Sequence, residues 1–549
     1  MGTDRASGAP EQLGEHIARS ARWVTVSTLT ASATTWLAVV ALSRVLEKRE
    51  FGLAALAMLA VAVFQLFQDS GLHAALIQRR EGIRAAADSA ALYAPLAGLA
   101  LAALCVAGAP LAARFFHQHE VGPLMRGLAA VFVLRSLAIV PGALIQRELL
   151  FARQALISIG SSFLYLGSAL GLALAGAGAW SVIGGQLVLA AWVAVGSWVA
   201  TPYRPNPRRA SLHELRLLLR YGRHIVAGNV VGFVNSNTDP AGVGRLYGPV
   251  PLGAYNIGFQ TGSQAVTIVT GIANVLVFPA YARVQGDLAR FRSAYLRSLR
   301  FICTISPPIG VGLAAVSSVL IPAVYGSKWN GTGAVGVLAV ISFYGIFLSV
   351  AATTGEVFKA SGRPDLFFKM GVFQVALLFA LIGGLYRFGL VGFAGARAGA
   401  TLVMSVVALV AAGRILELPL AAWLEALREP FVAALLMGAG VLGLRLGLAA
   451  ELGTAAWQLG PLVVAGAVLY PVALRLLAPQ RWREFAAELE RILPLRRLAA
   501  RLRRGRRGIP TVDGRTLADD RGDVDATLPT LAARQPVPAA GDAREVRTR

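Results

Sequence analysis

The sequence predicts an all-α polytopic membrane protein of about 14 transmembrane helices, arranged as two pseudo-symmetric lobes of six with two extra helices. Three observations carry this. Of the 549 residues 56% are hydrophobic and 15% charged, with a mean hydropathy of +0.61, which is too apolar for a soluble core under a wetted surface. The apolar residues fall into runs long enough to cross about 30 Å of hydrocarbon. A short sequence pattern also recurs 201 residues downstream of its first occurrence.

Taken in order, the expected spans lie near 24–43, 53–77, 88–109, 123–144, 155–175, 180–200, 222–240, 254–278, 301–323, 334–355, 370–386, 390–412, 431–448 and 458–477. The first 22 residues hold no apolar h-region, so no cleavable signal peptide is expected and the first span directs insertion. Loops after even-numbered spans, with the N-terminal arm, hold roughly 24 Lys and Arg, against roughly 8 after odd-numbered spans, which places both termini in the cytoplasm. The net charge of +23 sits between apolar runs and in the tail, a pattern suited to anionic lipid rather than nucleic acid. Cys105 and Cys303 lie within apolar runs, where neither a disulfide framework nor a zinc site is expected.

The repeat joins RVLEKREFG, residues 44–52, with RLYGPVPLG, residues 245–253. Each starts with Arg and ends in a bulky apolar residue plus Gly, as in transporters built from homologous halves with a site between them. The expected organisation is an N-terminal arm at 1–22, a first lobe at 23–200, a cytoplasmic inter-lobe loop at 201–221 and a second lobe at 222–412. Spans thirteen and fourteen follow within 413–477. Residues 478–508 form a basic amphipathic segment, with ten Arg against three Glu in 480–508, and 509–549 a disordered tail.

Seven stretches carry a resemblance, in order and with matching spacing: SRVLEKREFG, FQDSGLHAALIQRRE, GALIQRELLFARQ, GAGAWSVIGGQLV, FPAYARVQGD, YGSKW and ASGRP. From about Arg22 to Gly413 the chain resembles the lipopolysaccharide and exopolysaccharide (Wzx-type) flippases of the multidrug, oligosaccharidyl-lipid and polysaccharide exporter superfamily. The resemblance implies a V-shaped inner-membrane transporter, and no enzyme. It would move polyprenyl-diphosphate-linked oligosaccharide from the cytoplasmic to the periplasmic leaflet by alternating access. It also implies no cofactor, action as a monomer, and polysaccharide polymerase and chain-length machinery as partners. Glu356, the long basic tail and the closeness of Pro240 to Asp239 depart from the family pattern.

Such a substrate needs a wet interior path. Thr25, Thr28, Ser32 and Thr35 fall on one face of span one. Asn229, Ser236 and Asp239 form a stripe in span seven, and Gln260, Gln264, Thr267 and Asn274 one in span eight. These groups can hydrogen-bond sugars as cavity lining, or bond between helices in a packed bundle. For the diphosphate the candidates are Arg135 and Arg126 in span four, Arg397 in span twelve, and the repeat-related Arg44 and Arg245, because a guanidinium can pair bidentately with phosphate oxygens. A lone charge at the depth of Arg135 must face the interior, whereas Arg44, Arg245 and Arg126 can also snorkel. Gln65, Asp69 and His73, spaced by four, suggest an ion-coupling or gating face in span two, with Gly71 allowing close helix approach and Asp239 as the counterpart in span seven. The other reading pairs Asp69 with Arg79 or Arg80 at the cytoplasmic end.

Two other functions stay open: flipping of a lipid-linked peptidoglycan precursor, and cation-coupled multidrug export. The interior arginines disfavour the second. An embedded glycosyltransferase or polymerase would need a large extramembrane catalytic loop, and the absence of a GxxxxGK[ST] loop excludes ATP bound by such a motif.

Overall fold

Residues 8–68, 71–79, 81–264, 281, 287–452 and 456–492 are described in the computed structural model, and every element among them is helical. In chain order these are α1 (Gly8–Val45), α2 (Lys48–Gln68), α3 (Leu72–Gln78), α4 (Ile83–Phe116), α5 (Val121–Arg147), α6 (Phe151–Leu174) and α7 (Trp180–Ala200). Then come α8 (Leu212–Tyr247), α9 (249–264), α10 (Leu288–Tyr325), α11 (Ala334–Ala360), α12 (Pro364–Leu385) and α13 (Gly389–Leu416). The chain continues through α14 (Leu420–Leu452), α15 (Leu459–Leu477) and α16 (Pro479–Ile492). Asp69, Asn274, Thr267, Arg80 and the tail from 493 onward lie outside the described residues.

Eleven helical stretches among the described residues are long and apolar enough to cross a bilayer, and one of them, Phe368–Leu416, covers most of α12 and all of α13. The seventh and eighth expected spans are not among the eleven. The seventh lies in α8, which carries five polar side chains in a row from Asn235 to Asp239, and the eighth runs past the described end of α9.

The second expected span is broken. Gly71 takes φ +70°, a left-handed conformation that glycine adopts without the steric cost of a Cβ, and α2 stops at Gln68 while α3 starts at Leu72. Gln65 of α2 and His73 of α3 therefore stand on separate helices.

The segment 201–211, expected as a loop, is tied down. The buried Asp88 carboxylate accepts from the Tyr203 hydroxyl at 2.7 Å and from the Asn206 amide at 3.0 Å, and Ser211 N donates to Ser89 Oγ at 2.8 Å. Burial and then the Asp88 carboxylate push the Tyr203 hydroxyl above its ordinary pKa. The Ser211 side chain accepts from His213 N, so α8 starts with an N-cap ten residues before the expected boundary at 222.

Helix pairing follows one scheme twice. In the first half α1 packs on α6, α6 on α7, α7 on α5 and α5 on α4. In the second, α8 packs on α12, α12 on α13, α13 on α11 and α11 on α10. Small residues permit close approach in the same helix pair of each half: a Cβ on Gly98 of α4 would lie 2.4 Å from Ser136 Oγ of α5, and one on Gly310 of α10 would lie 2.6 Å from Ser342 O of α11. Helices α14 and α15 pack against α10, and Arg481 of α16 bonds Glu429 of α14 at 2.8 Å.

The two halves meet where the repeat strings lie. A Cβ on Gly52, at the start of α2, would be 2.0 Å from Pro249 O, and one on Gly253 would be 3.5 Å from Gly52 Cα. The largest buried cluster continues from there through both halves, with Leu46, Leu56 and Phe132 from the first and Tyr255, Val337 and Phe393 from the second.

Candidate functional site

A cavity of about 390 Å³ lies between the halves, walled by α1, α2, α6, α7, α8 and α9. Its polar groups are Thr35, Tyr165, Gln186, Asn237, Asn256 and Gln260, and no charged residue lines it among the described residues. Hydroxyls and amides in an otherwise apolar wall can donate to and accept from a neutral polyol or sugar. Two of these residues, Thr35 and Gln260, stand in the polar stripes read from the sequence. Asn256 completes a spacing of four with Gln260 and Gln264, a signal present in the sequence but not singled out. Gln264 is half-buried in α9, while Asn229 and Ser236 are exposed on α8 outside the cavity lining.

The five arginines expected on a cationic path are not gathered in this cavity. Arg397 is 2% exposed and Asp239 fully buried, and they form an ion pair with each other. Arg397 Nε donates to Asp239 Oδ2 at 3.2 Å and its guanidinium also donates to Asn235, through both the side-chain oxygen at 3.2 Å and the backbone carbonyl. Tyr255 donates its hydroxyl to the same carboxylate, and Phe259 lies 6.0 Å from the guanidinium carbon. A charge so deep needs such compensation. Nothing in a span pattern links positions 158 residues apart, so the sequence suggests separate roles for Asp239 and Arg397.

Arg44 and Arg245 make reciprocal contacts across the halves. Arg44, near the end of α1, donates to Val324 O at 2.7 Å and Ala323 O at 2.5 Å, carbonyls in the last turn of α10. Arg245, near the end of α8, bonds the His117 ring just past α4 and lies 5.5 Å over Phe115. Cations suit the negative ends of helices. In return Lys328 donates to Arg44 O at 3.0 Å and to Leu46 O, and Trp329 Nε1 donates to Ser43 O at 3.1 Å. Burial first, and Lys48 second, hold the Lys328 ammonium below the ordinary lysine pKa. Trp329 is fully buried and meets Phe51 edge-on at 5.6 Å. The string YGSKW thus seals one end of the interface.

Arg135 is half-buried in α5, and Arg126 is exposed on the same helix. His73 bonds Gln146 Oε1 of α5 at 2.9 Å, and Arg79 pairs with Glu214 of α8 at 2.6 Å, with 23% and 18% of the two side chains exposed. Glu214 was not singled out in the sequence. Glu356 pairs with Lys359 one turn on at 2.7 Å.

A polysaccharide biosynthesis protein family matches residues 41–333, more than half of the chain. The chain belongs to that family. Among its relatives is the lipopolysaccharide biosynthesis protein WzxC of Escherichia coli (strain K12), 26% identical over 68% of this chain and 76% of the relative. The teichuronic acid biosynthesis protein TuaB of Bacillus subtilis (strain 168) is 26% identical over 85% of this chain and 96% of the relative. The fold is shared with the lipid II flippase MurJ in its inward closed conformation, at a TM-score of 0.63 and 14% identity over 82% of this chain and 98% of that one. The residues that seal the interface therefore fall within the family match: Arg44, Gly52, Arg245, Gly253, Lys328 and Trp329 all lie between 41 and 333.

Proposed function

We propose that this chain is a flippase that moves polyprenyl-diphosphate-linked oligosaccharide from the cytoplasmic to the periplasmic leaflet of a bacterial inner membrane for lipopolysaccharide or exopolysaccharide biosynthesis. The observation that carries the reading is the uncharged, amide- and hydroxyl-bearing cavity between two repeats of one helix-pairing scheme. Sugars need such groups, and a site at the interface of two halves is where alternating access exposes a ligand to each side in turn. An exporter of cationic drugs would place an acid in the cavity, and among the described residues none lines it.

With both termini cytoplasmic, the end sealed by Arg44, Arg245 and Trp329 is the periplasmic one, and the molecule stands closed to the periplasm. Residues 23–200 and 222–412 then act as the two lobes that rock about this seal. Gating residues in this scheme are Asp69, His73 and Asp239, the last of which can exchange an ion only if it parts from Arg397. Arg135 and Arg126 of α5 serve the diphosphate on its way to the cavity.

Reconstitution tests the reading. In proteoliposomes given polyprenyl-diphosphate-linked oligosaccharide in one leaflet, sugar should become accessible to an impermeant lectin on the other side. Movement equal to that in protein-free liposomes overturns it.

A further inference from the structure

A second cavity, of about 800 Å³, runs along the face of α8 from Phe233 to Leu246, about 20 Å at 1.5 Å per residue. Its other walls are α2, α4, α12 and, through Met125, α5, so it too lies between the halves, and neither α1 nor α9 contributes to the described lining. The lining is apolar and aromatic, with Phe64, Phe115, Phe116, Phe233 and Phe379, and the polar residues of α8 are turned onto their own helix. Thr238 Oγ1 donates to Val234 O at 2.6 Å and Asn237 Nδ2 to Phe233 O at 2.9 Å. Arg245 is the charged residue in the lining among the described residues, at the end where α8 stops.

Leu59 of α2 and Asn237 of α8 line both this groove and the 390 Å³ polar cavity. One layer of side chains separates a site for sugars from a site for hydrocarbon. We infer that the groove takes the polyprenyl chain of the substrate while its sugar head occupies the polar cavity, the two meeting at the wall that Leu59 and Asn237 share. This rests on the flippase reading and adds where the chain goes. An amphiphile needs both surfaces at once, since exposing its chain to a wet cavity or its head to lipid is unfavourable for each. A groove serving bulk phospholipid would have no need to share a wall with the polar cavity.

Photolabelling tests this. The full-length protein in proteoliposomes is given a polyprenyl-diphosphate oligosaccharide bearing a diazirine in its chain, and separately a phospholipid bearing one in its acyl chain. The polyprenyl probe should label α2, α4 and α8 around Phe64, Leu111 and Phe233, and unlabelled polyprenyl-diphosphate oligosaccharide, but not excess phospholipid, should displace it. Ala112→Trp, which fills the groove, should cut labelling at least fivefold, with Leu246→Trp at the exposed rim as the alternative if the first variant does not fold. Labelling confined to other helices, or equal displacement by phospholipid, overturns the inference. Transport is measured on the same vesicles, so wild-type protein that flips substrate yet labels elsewhere refutes the groove alone, and protein that flips nothing refutes the flippase reading.

Discussion

Gly52 and Gly253, equivalent positions of the two repeats, face each other: a Cβ on Gly253 would stand 3.5 Å from Gly52 Cα. Equivalent residues meet in this way when two halves are related by a pseudo-two-fold axis passing between them. The exchange between Arg44 with the end of α10 and Arg245 with the end of α4 has the same symmetry. The seal is thus built of contacts paired by one symmetry.

The closest of these contacts sets the first prediction. Any side chain at position 52 runs into the Pro249 carbonyl, since even a Cβ would lie 2.0 Å from it, and backbone cannot swing aside as a flexible side chain can. Gly52→Val should hold the sealed end apart. A spin-label pair at Val45 and Thr332 should report a longer distance than in the wild-type background, and transport should fall. An unchanged distance would mean that the halves close without this contact.

The cavity makes the second. Asn256→Leu and Gln260→Leu remove sugar partners from one face of α9 while keeping approximate volume. Each lost hydrogen bond is worth about 1 kcal/mol, or about fivefold in apparent affinity. KM for lipid-linked oligosaccharide should rise by that order with the melting temperature unchanged. A fall in melting temperature with KM intact would assign the two amides to helix packing.

Much of this arrangement was legible in the sequence and some was not, for physical reasons. Thr35 and Gln260, which line the cavity, stand in stripes that polar residues at spacings of three and four make visible on an apolar helix. The repeat was found from identical spacing, but that its two glycines touch depends on tertiary approach, which no local pattern encodes. The break at Gly71 was hidden because α2 and α3 form one apolar run, so hydropathy cannot distinguish a helix from two helices joined by a left-handed residue. The arginines share one signal in the sequence but not one environment in the structure. Depth in a span says that a guanidinium needs a partner, but not whether the partner is a ligand, a carboxylate such as Asp239, or the carbonyls at the end of α10.

Lys328 gives a pH prediction. Its pKa is lowered where it packs against the end of α1, and it returns to the ordinary lysine range when that end opens into water. The sealed state therefore binds fewer protons than the open one, and its stability rises with pH from the lowered value up to the usual lysine pKa of about 10.4, then levels off. The Val45–Thr332 label pair should shift toward the shorter distance as pH rises over that window. Lys328→Met should flatten the dependence, and a shift of equal size in that variant would assign it to another group.

The ion pair inside the second half supports the last prediction. Asp239 and Arg397 are both buried, and Tyr255 and Asn235 supply the remaining bonds, so removing either charge strands the other in a dry site. Breaking a buried pair by one partner costs about 3–5 kcal/mol, whereas replacing both by neutral groups of similar size is often neutral. Asp239→Asn and Arg397→Met should each lower the melting temperature in detergent, and the double variant should recover most of the loss, giving a large coupling in a double-mutant cycle. Transport by the double variant then separates two roles. If it is stable and flips substrate at the wild-type rate under an imposed proton or sodium gradient, the pair serves to lock α8 to α13. If it is stable and transports without responding to the gradient, the carboxylate has to leave Arg397 during the cycle, and the free energy of that separation is what the ion supplies.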